Sequence, residues 1–351
     1  VNDVENTPLV SQSSFSWKVV VVYSLKLLVT CAFLYWAFMR VEDQCALAEN
    51  FYRALRSPLW VAIGLAFAGV TILASAVRYH LLLRALSIKV SFAYVCKLSF
   101  IAALFNIVSI GATAGDAVKM IGVMRRVPNQ KITITMAVLM DHLVGFVSGS
   151  LIFLIFAWGG GIIDAVSNEV IRQVLIYGTV FEFAALLLLA FMFFTDPEKR
   201  LQLFRRKLPK LAANPHVMSV ADAVHVFQVQ KKVAAMALGV SMVLSVSFFM
   251  SFYAALQTVN SPLPVNDVLT VMPVVDVACS LPISVSGLGV REKTFEFFLH
   301  ELTGVSTASA ISASLIGFLF QVFWGLVGGL LLVFERSFFS VKKEGDPCVI
   351  H

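Results

Sequence analysis

The chain has 351 residues, 59% of them hydrophobic and 14% charged, with a net charge of +6 and a mean hydropathy of +0.86. A soluble globular domain carries about 25% charged residues, so these values exclude a soluble fold and predict a polytopic membrane protein. The positive charge does not point to nucleic acid as a partner, because the basic residues sit in short segments between apolar runs and no aromatic-basic module is present.

In chain order, residues 1–18 read as a polar cytoplasmic segment, and residues 19–39 as a first span long enough for about 30 Å of hydrocarbon. That run is too long for a signal-peptide core and is not followed by a small-x-small cleavage site. Residues 40–57 balance three basic against three acidic residues and favour neither side of the membrane. A second span covers residues 59–77, followed by Arg78, Arg84 and Lys89 with no acid among them, a cytoplasmic loop by the positive-inside rule.

The apolar run 92–110 is again followed by basic residues, Lys119, Arg125, Arg126 and Lys131, against the single acid Asp116. Two consecutive basic loops cannot both be cytoplasmic across a full crossing. A re-entrant hairpin over about residues 92–126 reconciles them, with a break at 110–115 (IGATAG). Spans then follow at 132–158 and 172–194, joined by an acidic loop that reads as external. Residues 195–232 hold eight Lys/Arg against three acids, a cytoplasmic loop suited to lying on anionic lipid. A span at 233–256 leads to a second hairpin, 268–302, inserted from the external side, and a last span at 308–334 returns to a cytoplasmic tail, 335–351. The expected fold is all-α, with about six full transmembrane helices and two oppositely inserted re-entrant hairpins in a single domain, 19–334.

The second hairpin carries the most informative stretch, SLPISVSGLGVRE at 280–292. A Pro/Gly break inside an apolar run leaves backbone polar groups that must face protein or a water-lined cavity. Gly287 and Gly289 let backbone approach a ligand, with Ser284 beside them as a further candidate binding residue, the following helix N-terminus favours an anion, and Arg291 adds a planar fork for phosphate or carboxylate. The alternative is a helix break whose Arg291 and Glu292 neutralise one another. In the first hairpin Asp116 and Lys119 open the returning arm, where Asp116 would also serve as a helix cap. Asp141 and His142 lie well inside the next span, with Lys119 or Arg291 as candidate partners for Asp141. Glu182 falls near the middle of its span and must be protonated, paired or turned to a cavity; Asp276 is a similar case. Most of the 30 Phe read as lipid-facing or packing residues, and Gly325, Gly328 and Gly329 as a close helix contact. The five Cys are scattered singly, so no disulfide framework, metal site or cofactor is expected.

PISVSGLGVRE, the Asp116-x-x-Lys119 pattern behind a Gly-rich break, and Asp141 in the following span resemble the lysylphosphatidylglycerol synthase transmembrane family. That family includes the flippase domain of multiple-peptide-resistance factors, and the likeness covers residues 19–334. Where members usually carry Gly-Gly-Asp-x-x-Arg, this chain has Ala114, Gly115, Asp116 and Lys119; where they carry Asp-Arg it has Asp141 and His142. The resemblance implies a flippase of the cell inner membrane with cytoplasmic termini, moving a phospholipid or polyprenyl-linked lipid with an anionic or zwitterionic head group. The chain ends at His351 with no soluble synthase domain, so translocation is expected rather than enzymatic lysyl transfer. Arg291, Lys119 and the helix N-termini would hold phosphate, and Asp116, Asp141 and Glu182 an amine. A separate lipid-modifying enzyme and a second copy of the chain are the candidate protein partners. A membrane-embedded transferase and a small-solute carrier are the competing readings.

Overall fold

A computed structural model describes residues 44–108, 114–160, 163, 166, 168–195, 228, 230–261, 263–281 and 284–334. The expected first span, most of the 110–115 break, Pro282, most of the basic segment 195–232 and the tail lie outside the described residues. Among the described residues the fold is all-helical, with five helices long and apolar enough to cross a membrane and shorter ones between them.

Helix α1 (Gln44–Leu55) precedes the long α2 (Pro58–Ala85). A first pair of shorter helices follows, α3 (Phe92–Val108) and α4 (Ala114–Arg126). The spans α5 (Lys131–Gly159), α6 (Glu169–Phe194) and α7 (Lys231–Thr258) come next. A second short pair, α8 (Val265–Ser280) and α9 (Val290–Thr303), leads to the last span, α10 (Thr307–Phe334).

Two of these differ from the sequence expectation. Arg78 was expected in a loop, yet α2 continues past it to Ala85, giving a helix of about 42 Å at 1.5 Å per residue. The helix tolerates a guanidinium because Asp141 neutralises it from α5, at 2.6 Å, while Tyr79, Leu82 and Leu83 carry on the buried face. Helix α1 was not expected at all. Its mixed charges conceal an amphipathic period in which Leu47, Asn50 and Ala54 are buried, whereas Glu49 and Arg53 pair in the open at 2.7 Å. Asn50 Nδ2 donates to Ser312 Oγ of α10 at 3.2 Å, which fastens α1 to the start of that span.

Small residues let the backbones close up. Gly325 and Gly328 of α10 sit where a Cβ would collide with Ile107 and with the Phe100 carbonyl of α3, so the expected glycine contact is present and its partner is the first hairpin. Gly64 and Gly69 of α2 likewise accept the rings of Phe320 and Trp324 from α10, and Trp324 Nε1 donates to Leu65 O at 2.8 Å. Among the described residues, helix α6 is held along one edge, through residues such as Ile171 and Leu175. It exposes Tyr177, Val180, Phe181, Phe183, Leu187 and Leu188, a lipid-facing surface.

Contacts between helix ends sort the bundle into two faces. On one, Gln230 Nε2 at the start of α7 donates to Ala85 O at the end of α2, at 3.0 Å, beside the mouth of the α3–α4 hairpin. On the other, Gly160 at the end of α5 has no room for a Cβ against Asn266 of α8, and Asn168 Nδ2 donates to Glu301 Oε2 of α9 at 2.8 Å. The hairpins therefore open on opposite faces. The break of the second hairpin reaches the end of α3, where Ser286 Oγ donates to Asn106 O at 3.1 Å and both residues border a cavity. Opposed hairpins meeting at mid-depth are a construction that places irregular backbone against a cavity instead of lipid.

Candidate functional site: a charged cavity between two hairpins

Around the meeting point lies a cavity of about 650 Å³, walled by α2 to α8, α9 and α10 and reached by Lys119, Asp141, His142, Glu182, Asp276 and Arg291. Each charge gets there for a local reason. On the first hairpin, Asn106 Oδ1 accepts from Gly115 N at 2.8 Å and so caps α4, whose first turn then presents Asp116, with Lys119 on the same face one turn on. A Cβ on Gly115 would run into Asn106 and the Ala102 carbonyl, which makes this glycine a close-approach point.

Behind that tip a compact ionic cluster forms. Arg78 Nε donates to Asp141 Oδ1 at 2.6 Å and its Nη1 to Ser241 Oγ at 2.6 Å. Lys119 Nζ lies 3.3 Å from Asp116 Oδ1 and 3.9 Å from Asp141 Oδ2, and donates to Ser75 Oγ at 3.2 Å. His142 Nε2 is 3.0 Å from Asp116 Oδ2 with half its side chain open to the cavity, at 52% exposure. Arg78, Lys119 and Asp141 are all less than a tenth exposed, so the cluster is held in a medium where unpaired charge costs several kcal/mol.

On the second hairpin the backbone turns through Gly287 and Gly289, with φ of +73° and +82°, the left-handed region that favours glycine. Gly287 also packs against Cys279, leaving little room for a side chain. Glu292 is fully buried; its Oε2 accepts from Gly289 N at 2.5 Å and its Oε1 from Arg291 Nη2 at 2.7 Å. Ser314 of α10 joins the pair, accepting from Arg291 Nε at 3.3 Å and donating to Glu292 Oε1 at 3.2 Å. Phe318 lies 4.4 Å from the guanidinium carbon, and cation–π attraction of this kind strengthens when both groups are desolvated. The α9 N-terminus is thus closed largely by its own chain: Glu292 takes Gly289 N–H, and Arg291 N bonds to Gly287 O at 2.8 Å.

Two carboxylates stand apart from both clusters. Glu182 projects from lipid-facing α6 into the cavity wall, where Ser150 Oγ of α5 donates to it. Asp276 opens onto the cavity from α8, three residues past the helix-interior Pro273. Among the described residues, neither has a Lys, Arg or His partner.

Of the sequence candidates, Lys119, Asp141, His142, Glu182 and Arg291 therefore line one cavity, with Asp116 bridging Lys119 and His142 from the side. Glu292, Gly287 and Gly289 shape and hold Arg291 from behind, and Ser284, 2% exposed with no hydrogen-bond partner among the described residues, does not reach the cavity. Asp141 takes its closer partner from neither Lys119 nor Arg291 but from Arg78, which sequence reasoning assigned to topology. The signal was present: an arginine followed by the apolar stretch Leu81–Leu83 belongs to a helix that has not yet ended.

Membrane-length helices around a charged cavity with two opposed hairpins at its centre define a polytopic membrane protein. Residues 23–329 match the family described as the lysylphosphatidylglycerol synthase TM region, and the chain belongs to that family. This ties it to lipid handling in a membrane. A comparison with curated proteins returns no match.

Proposed function

We propose that the protein moves a lipid between leaflets by passing its polar head group through the central cavity while the acyl chains stay in the bilayer. The observation that carries this reading is the cavity itself. It measures about 650 Å³, within the roughly 300–1,000 Å³ of small-molecule sites, room for a head group but not for a whole lipid. Its charges are arranged in complementary clusters, and hydrocarbon offers a bare head group nothing comparable.

The geometry favours a zwitterionic or amine-bearing head group over a purely anionic one. Arg78 and Arg291 are committed to Asp141 and Glu292. Lys119, which shares Asp116 at 3.3 Å and Asp141 at 3.9 Å, and the half-open His142, at 3.0 Å from the same Asp116, are the cations that would exchange a shared carboxylate for phosphate oxygens. Glu182 and Asp276 are the groups placed to receive an ammonium. The face carrying Arg84, Lys89, Arg125, Arg126, Lys131 and Lys231 has no acid in its described connections and is the cytoplasmic one on the positive-inside rule, in the cell inner membrane.

Reconstitution in liposomes with labelled phosphatidylglycerol, phosphatidylethanolamine, aminoacylated phosphatidylglycerol and polyprenyl phosphate tests the reading. Wild-type vesicles should exchange at least one of these between leaflets faster than empty ones. Glu182→Gln and Asp276→Asn should slow the amine-bearing lipids about tenfold or more, the loss of one charge-assisted contact of roughly 1.5–3 kcal/mol. Exchange no faster than in empty vesicles across this panel sinks the proposal, and formation of a new lipid from lipid and donor would assign a transferase instead.

A further inference from the structure

A second hollow, of about 630 Å³, lies at the corner between α2 and α3, and none of its lining residues is shared with the central cavity. Helix α2 ends by a tight reversal in which Ser87 takes φ +60°, Ser87 N bonds to Arg84 O at 3.0 Å and Ile88 N to Leu83 O at 2.9 Å. The next residues alternate: Ile88 and Val90 are buried, whereas Ser87, Lys89 and Ser91 face out. That alternation carries Lys89 back beside Arg84, and both line the hollow, exposed and with no ion pair among the described residues.

Helix α3 then starts at the same place. Its first backbone bond is Val95 N to Ser91 O at 3.2 Å, so the N–H groups of Phe92, Ala93 and Tyr94 precede the helical ladder, and no partner for them is present among the described residues. His80 forms part of the wall: its ring stands edge-on to Phe92 with centroids 5.6 Å apart, and its Nδ1 is turned away from solvent with no hydrogen-bond partner among the described residues. Two exposed cations, two serine hydroxyls and the first-turn N–H groups converge on one concave corner, with the His80 ring in its wall. Among the described residues no carboxylate lines it.

We propose that this corner is a binding site for a phosphate ester, distinct from the translocation cavity. A phosphate offers the several acceptor oxygens that a helix N-terminus with two flanking cations can use together. The corner lies on the face rimmed by Arg125, Arg126, Lys131 and Lys231, level with the ends of membrane-length helices, so the phosphate of an anionic lipid reaches it directly. A water-soluble phosphate ester has the same chemistry and approaches from the same side.

Native mass spectrometry of the detergent-solubilised full chain, titrated with short-chain phosphatidylglycerol in one arm and glycerol phosphate in the other, separates the two sources. Wild type should bind at least one probe. Arg84→Gln with Lys89→Gln should weaken it by about fivefold for each cation removed, while Arg125→Gln with Lys131→Gln, the same charge change elsewhere on the rim, should leave it unaltered. Preference for the lipid assigns a head-group site, and equal binding of glycerol phosphate assigns a soluble ester. Equal losses in the two double variants would reduce the effect to general surface charge and overturn the site, as would wild type that binds neither probe. The result is independent of lipid movement, because the corner can be occupied in a protein that translocates nothing.

Discussion

At the scale of single residues, the ion pair between Arg78 and Asp141 is the contact on which the first hairpin's chemistry depends. Both groups are less than a tenth exposed, and each has a further partner, Ser241 for Arg78 and Lys119 for Asp141. Removing one partner of such a pair leaves a buried charge and costs about 3–5 kcal/mol, whereas replacing both with apolar groups is often tolerated. Asp141→Leu alone should therefore lower the thermal unfolding temperature in detergent markedly, and Arg78→Met with Asp141→Leu should recover most of it. The double variant should still move lipid more slowly, because the cavity loses Asp141, one of the two carboxylates that balance Lys119. A double variant as unstable as Asp141→Leu would show that the guanidinium serves packing rather than charge. Glu182 makes the complementary case. It is the polar group on a helix that otherwise displays Phe181, Phe183 and Leu187 to lipid, so its position was legible from the sequence even though its hydrogen-bond donor, Ser150, was not.

At the scale of elements, glycines decide which helices can approach. Gly328 touches the backbone carbonyl of Phe100, and no rotamer change can make room there. Gly328→Val should separate α10 from α3, with loss of folded protein on size-exclusion chromatography. Gly239→Ala, where a Cβ meets nothing within 4 Å, should be neutral or slightly stabilising by helix propensity, about 1 kcal/mol at most. Gly149 offers a sharper probe, because it lines the cavity and a Cβ there also meets nothing within 4 Å. Gly149→Leu should fill the cavity, leave the unfolding temperature near wild type, and slow lipid exchange; exchange at the wild-type rate would mean the head group takes another path. The periodic glycines and the Pro/Gly breaks announced themselves in the sequence. The extension of α2 through Arg78 and the existence of α1 did not, because both depend on partners far along the chain, Asp141 in one case and Ser312 in the other.

For the whole molecule, the two hairpins open on opposite faces, and this has a direct consequence for labelling. In a background with its native cysteines replaced, a cysteine at Lys89 or Lys131 should react with an impermeant reagent from one side of sealed vesicles, and a cysteine at Gln257 or Glu301 from the other. Labelling of both sets from one side would remove the inverted arrangement. Among the described residues α6 is the least anchored wall of the cavity, fastened to α5 near Ile171, Leu175 and Glu182 with its other side exposed. A lipid whose tails remain in the bilayer needs such a wall beside the cavity.

What the sequence determined by itself was the class of molecule, the order of spans and hairpins, and most of the ionisable residues that face the cavity. Hydrophobic run length, loop charge and Pro/Gly breaks are local quantities, and a charge inside an apolar run is conspicuous wherever it sits. Only the tertiary structure decided which charges neutralise one another and which remain for a ligand. Arg291 is satisfied by its neighbour Glu292, Asp141 by a guanidinium 63 positions away, and Glu182 and Asp276 are left facing the cavity. Pairing of buried charge is a matter of ångströms between helices remote in sequence, and no pattern along the chain encodes it.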